Sequence, residues 1–167
     1  MAFLTPDRRR SLFGALSGCL AALFVFIVLL AAVGEPSRDS ALAVVLLIPG
    51  LVVFLLTLAV AGGRFLTQTF DPLKAGQENR YMQITQRALG NSAEQGLAFA
   101  GMAVALVLAG DAWSNGFAMA LALTFGAARV AFWVGYLRSL FGRAPGMAAT
   151  MMINVVAGIL AISVVVA

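Results

Sequence analysis

Apolar runs of about twenty residues recur along this chain, at residues 12–33, 41–61, 93–109, 117–137 and 146–166, with short polar joints between them. A hydrocarbon core about 30 Å thick takes about 20 helical residues per crossing, so each run is long enough to span a bilayer. Inside lipid every backbone N–H and C=O must find its partner within the protein, which leaves only helices or a closed barrel. Strands of a barrel alternate apolar and polar residues over about ten positions. Residues 20–33 and 41–61 are apolar on every face, and a barrel is rejected. The expected fold class is an all-α membrane protein, a helical bundle of five transmembrane helices.

Composition excludes several kinds of chemistry. With 62% hydrophobic and 11% charged residues, the balance lies far from that of a water-soluble globule. The chain has no histidine, which removes the usual general base, the commonest metal ligand and a Ser/His/Asp triad. Cys19 stands alone in the first apolar run, so neither an internal disulfide nor a cysteine metal cluster is available. No metal is expected. The net charge of +4 falls in short joints instead of a continuous basic stripe, which argues against nucleic acid and for topology signals. The lipid bilayer is the expected partner.

Arg8, Arg9 and Arg10 precede the first run, a pattern shared by signal peptides and by retained helices. A signal peptide's apolar region is about 7 to 15 residues, and this run is longer, so it is read as a retained helix. The joint at 34–40 leads to the second span, where Pro49 and Gly50 should permit a kink. In the polar stretch 64–92, Asp71 and Pro72 look like an N-cap followed by proline at the first helical position. A helix starting there or soon after would pass Arg80 and Arg87 before the third apolar run, with Gly76 and Gly90 weakening its continuity. A tight joint at 111–116, with Trp113 at an interfacial level, precedes the fourth span; Pro145 and Gly146 break the chain before the fifth.

Lys and Arg number three before the first span, four between the second and third and two between the fourth and fifth, against Arg38 alone on the other side. The positive-inside rule therefore places the N-terminus in the cytoplasm and the C-terminus outside, with a bacterial inner membrane as the expected location.

Arg80, Gln83, Arg87, Asn91 and Glu94 are separated by three, four, four and three residues and share one helix face. A solvated face would look the same as far as Arg87. Glu94, beside an apolar run, needs a cation or a wet cavity, because exposure to lipid costs a few kcal/mol. A second stripe carries Arg129, Phe132, Tyr136 and Arg143, again on one face. Arg129 lies inside its apolar run, where an unpaired arginine costs about 2.5 to 3.5 kcal/mol, so it must find a partner or snorkel. A purely structural pair between Arg129 and Glu94 would satisfy both. Read as a site, the guanidinium groups, carboxylate, amide and phenol suit an anionic or zwitterionic, peptide-like molecule better than a metal ion. Asn154, alone on the last span, reads as an interhelical hydrogen-bonding residue.

At these residues the chain resembles the family of membrane-associated proteins in eicosanoid and glutathione metabolism (MAPEG), which includes microsomal glutathione transferases and leukotriene C4 synthase. One block is Arg87, Ala88, Asn91 and Glu94; the other runs from Arg129 to Tyr136 and is followed by Arg143. Four spans match, dividing the chain into 1–40, a cytoplasmic segment with an extra transmembrane helix, and 41–167, a four-helix membrane domain. The resemblance implies a homotrimer that binds glutathione as co-substrate between subunits and receives a small lipophilic substrate through the bilayer. It implies that Arg87, Asn91 and Glu94 hold the tripeptide and that Arg129 supports them. Tyr136 would donate a hydrogen bond, and Arg143 would stabilise the thiolate. The implied activity is that of a glutathione-dependent transferase or peroxidase acting on lipophilic electrophiles. Phe132 and Gln95 stand where leukotriene C4 synthase has tyrosines, and Leu89 replaces a polar residue. Those departures keep a second expectation open: a non-catalytic protein that binds a lipid or peptide-like metabolite in the same pocket.

Overall fold

The computed structural model describes residues 5–68 and 78–167. The expected helix start at Asp71 and Pro72, and Gly76, lie outside the described residues. Five helices follow one another: α1 (Pro6–Val33), α2 (Arg38–Thr67), α3 (Arg80–Ala109), α4 (Ala112–Arg138) and α5 (Ala144–Val166). Each is long and apolar enough to cross a membrane, and no strand occurs among the described residues. The protein is thus an integral membrane protein of the expected helical class.

Local chemistry sets where the helices begin. Thr5, Ser37, Asn79 and Asp111 occupy the N-caps of α1 to α4, each accepting a hydrogen bond from a backbone N–H three residues on. At Asn79 the distance from the Met82 amide is 2.9 Å, and at Asp111 it is 3.0 Å from the Ser114 amide. Because Asp111 caps, α4 starts at Ala112, and the expected loop at 111–116 is largely helix. Likewise Pro145 does not break the chain: it sits in the first turn of α5, where a missing N–H costs nothing. Pro49 lies within a continuous α2, and Gly90 does not interrupt α3.

The helices α2, α3, α5 and α4 pack in a ring, with α3 and α4 also touching across it. Phe99 of α3 stacks on Phe125 of α4 with centroids 4.8 Å apart, both fully buried at the centre of the larger core. A smaller core of Leu56, Ile84, Ala88, Phe132 and Tyr136 fills the end of the bundle where α3 begins and α4 finishes. Small residues bring the backbones close: a side chain at Gly146 would strike the backbone of Phe132, so α5 rests directly on α4 there.

Outside the ring, α1 touches only α4 and α5 among the described helices. Gly14 and Gly18, one turn apart, form its contact face: a Cβ on Gly18 would collide with the Pro145 backbone, and one on Gly14 would lie 3.2 Å from Ala144 Cβ. Much of the remaining outer surface is apolar, with Phe13, Phe24 and Leu97 among its exposed side chains, as lipid contact requires. At the opposite end Arg38 donates to the Leu108 carbonyl, satisfying an acceptor that the end of α3 leaves open.

Candidate functional site

Beside the smaller core opens a cavity of about 560 Å³, within the usual range for small-molecule sites. Arg87 and Asn91 reach it from α3, Phe132 and Tyr136 from α4, and Arg143 from the joint that leads into α5. Four of the six residues singled out from the sequence therefore line one space. Leu140, Phe141, Ala144, Met147 and Ala148 supply its apolar lining, and Ser11 and Ala15 of α1 complete it.

The spacing that placed Arg87 and Asn91 on one helix face is what delivers them together, one turn apart. The same holds for Phe132 and Tyr136 on α4, whose rings lie 5.9 Å apart. Arg143 stands seven residues beyond Tyr136, past the end of α4, yet the joint folds back and sets its guanidinium 5.0 Å from the centre of the Tyr136 ring. The phenol is thus pinned beside a cation, and both border the cavity.

Arg129 and Glu94 do not line it. Only 1% of the Arg129 side chain is exposed, and it lies beneath the cavity wall with its guanidinium 4.2 Å from the centre of the Phe132 ring. Its Nε donates to Ser92 Oγ at 3.0 Å, and its Nη2 donates to Ser92 Oγ at 2.7 Å and to Asn91 Oδ1 at 2.9 Å. Glu94 takes no part, so the structural pair with Arg129 is not formed. The third nitrogen, Nη1, is buried with no partner among the described residues. Glu94 lies on the exposed side of α3 and has no hydrogen-bonding or ionic partner among the described residues.

The arginine contact orients Asn91. Its carbonyl oxygen is engaged by Arg129, which leaves the amide NH₂ as the group available to a ligand in the cavity. Two further ties hold α3 against α4 on the same side: Arg80 donates to the Leu137 carbonyl at 3.0 Å, and Trp133 Nε1 donates to Thr85 Oγ1 at 3.3 Å. Asn154 of α5 donates to Gln95 Oε1 at 2.6 Å, the interhelical bond expected of it.

Sequence reasoning missed Ser92, Ser11 and Ala15. Ser92 carried a signal, since a small polar residue within an apolar run lies near the depth at which Arg129 needs an acceptor. Gly14 and Gly18 hinted that α1 packs closely on something, but nothing in their spacing says on what. Among the described residues no three His, Cys, Asp or Glu side chains gather in a way that would hold a metal ion.

The arrangement offers two exposed guanidinium groups, an amide donor and a phenol around a cavity whose other walls are apolar. It can fix an anionic peptide at its polar side and hold a greasy molecule against the rest. The family model described as MAPEG family matches residues 40–163. No curated protein and no solved structure shows a significant match to the chain.

Proposed function

The chain belongs to the MAPEG family, and from that premise we propose that it is a membrane-embedded glutathione-dependent transferase or peroxidase acting on lipophilic electrophiles. The family comprises membrane glutathione transferases and peroxidases together with eicosanoid enzymes. The observation that carries the reading is the convergence of Arg87, Asn91, Tyr136 and Arg143 on one cavity.

In this reading Arg87 pairs with a carboxylate of the tripeptide, and the Asn91 amide donates to it from the orientation Arg129 imposes. Arg143 and the Tyr136 hydroxyl face the sulfur. A free thiol has a pKa of about 8.5, so only a few per cent is ionised at neutral pH. Lowering that value by about two units takes about 2.7 kcal/mol of preferential thiolate stabilisation, within reach of a guanidinium in a partly dehydrated site. The thiolate then attacks an electrophilic carbon: a C–S bond forms, the leaving group departs with its electron pair, and the thiol proton has already gone to solvent. Toward a hydroperoxide it attacks the terminal oxygen: the O–O bond breaks, the alkoxide takes a proton, and a second glutathione converts the sulfenic acid to disulfide and water.

Glu94 would receive the tripeptide's ammonium. Since it is exposed and lies outside the cavity of the single chain, that role needs a neighbouring subunit to bring the ligand across to it, as a homotrimer would. The division into 1–40 and 41–167 is supported by α1 lying outside the four-helix ring. The charge distribution supports an N-terminus in the cytoplasm of a bacterial inner membrane and a C-terminus outside it.

The test is thiolate absorbance on mixing purified protein with glutathione, followed by turnover. Wild type should ionise the bound thiol near neutral pH, and Arg143→Ala should raise the pKa of that thiol by about two units, a fall of about 100-fold in the thiolate-to-thiol ratio at fixed pH. Glutathione that neither binds nor ionises at millimolar concentration ends this reading. A non-catalytic binder is favoured by one observation: Phe132 lines the cavity without a hydroxyl, and Gln95 is occupied by Asn154. In that case native mass spectrometry would show a retained lipid or metabolite, with no glutathione turnover.

A further inference from the structure

The helix α1 lies outside the family match at 40–163, yet Ser11 and Ala15 belong to the wall of the cavity. Ser11, Ala15 and Gly18 fall at intervals of four and three, so one face of α1 both lines the cavity and docks on α5. The docking is tight. Gly18 has no room for a side chain against Pro145, and Gly14 abuts Ala144. Ala144 directly follows Arg143, so the contact that seats α1 is next to one of the cavity's two cations.

The lining is unequal in chemistry. Arg87, Asn91, Tyr136 and Arg143 make it polar, whereas Ala15 of α1 and Met147 and Ala148 of α5 make it apolar. A charged peptide engages the first group, and the apolar remainder is left to the molecule it reacts with. Ala15 is half-buried and contributes only a methyl group to the α1 wall. A larger side chain there would fill the apolar part and leave the polar groups in place.

We propose that α1 is a fixed wall of the reaction site and that Ala15 sets the size of lipophilic electrophile it accepts. This rests on the glutathione reading above. The wall favours electrophiles with an apolar body that lies along α1 and a compact reactive end that meets the sulfur. Ser11, exposed at the rim, offers a hydroxyl to a polar tail.

Two measurements test it. With glutathione as thiol, Ala15→Trp should lower kcat/KM for a long-chain lipid hydroperoxide about tenfold more than for chlorodinitrobenzene, with a larger change in the electrophile's KM than in that of glutathione. Ala15→Leu should shift the ratio in the same direction by less. Phe24→Trp, on the lipid-facing side of the same helix, should leave the ratio unmoved. Equal losses for both electrophiles, or a loss confined to glutathione, overturns the assignment.

The second measurement needs no turnover. In a Cys19→Ser background, Gly14→Cys with Ala144→Cys should form a disulfide in membranes, because the two Cβ positions are about as close as that bond requires. The oxidised protein should keep the electrophile preference of the reduced one. Failure of the bond to form shows α1 seated elsewhere and removes the wall. Activity lost on oxidation and regained on reduction shows a moving lid instead. If wild type neither binds nor turns over glutathione, the function reading falls and takes the electrophile assignment with it, while the disulfide still reports where α1 sits.

Discussion

Arg129 is the residue whose role changed most between sequence and structure. From the sequence it is a buried charge in need of a partner; in the fold it donates three hydrogen bonds to two neutral residues, Ser92 and Asn91. On the proposed glutathione reading it acts through Asn91 as a positioning residue. Arg129→Lys keeps the charge but not the planar fork that reaches both acceptors. Losing the Asn91 contact should cost about 1 to 1.5 kcal/mol, or about five- to tenfold in KM for glutathione. The apparent pKa of the bound thiol should stay where it was, because Arg143 is untouched. A purely structural role would instead lower stability and activity together with no such split. Glu94→Gln belongs at this scale too, since removing its charge should raise glutathione KM only if a neighbouring subunit carries the ligand to it.

At the scale of elements, close backbone approaches decide how the helices bring the site together. Gly146→Ala places a methyl group against the backbone of Phe132, at the contact that sets the spacing of α4 and α5. Overpacking there should destabilise by at least about 1 to 3 kcal/mol, seen as a lower midpoint for thermal unfolding in detergent. Gly18→Leu should displace α1 without dissolving the four-helix ring, since α1 touches only α4 and α5. Limited proteolysis near residue 34 would become faster, while the remaining helices would stay protected.

The start of α4 also carries a pH dependence. The Ser114 amide and hydroxyl bind the Asp111 carboxylate and hold its pKa below the usual carboxylate range. A depressed carboxyl stabilises the fold above its unfolded-state pKa, and that contribution disappears as pH falls through the folded-state value. Asp111→Asn keeps a capping oxygen but cannot titrate. The stability difference between wild type and Asp111→Asn should therefore be constant near neutral pH and shift in favour of the variant under acid, as read by thermal melts across a pH series.

For the whole molecule, the proposed topology of five crossings has the first and last helices ending on opposite sides of the membrane. In a Cys19→Ser background, Arg9→Cys should react with an impermeant thiol reagent only after the cytoplasmic face is opened. Ala167→Cys should react from outside. The reverse pattern would show that the positive residues do not set the orientation. The exposed carboxylate of Glu94 on the side of α3 is costly in lipid, which favours an assembly that covers it. Native mass spectrometry should find three copies.

The number and order of the helices were legible in the order of residues, because a bilayer imposes a minimum length and a polarity on every segment that crosses it; their lengths were not, since polar caps such as Thr5 and Ser37 start α1 and α2 ahead of the apolar runs. Caps such as Asp111 were legible in principle, although its reading as part of a loop failed: the tight joint closes with a helix already begun. Face-sharing within one helix was also legible, and so Arg87 with Asn91, and Phe132 with Tyr136, came together as their spacing required.

What no spacing contains is which helices touch and at what depth. Only the packed bundle decided that Arg129 meets Ser92 and Asn91, that Glu94, two turns beyond Arg87 on the same face, lies outside the cavity, and that α1 closes the cavity with Ala15. Periodicity fixes angles around one axis, whereas contacts between axes depend on where small residues let backbones meet.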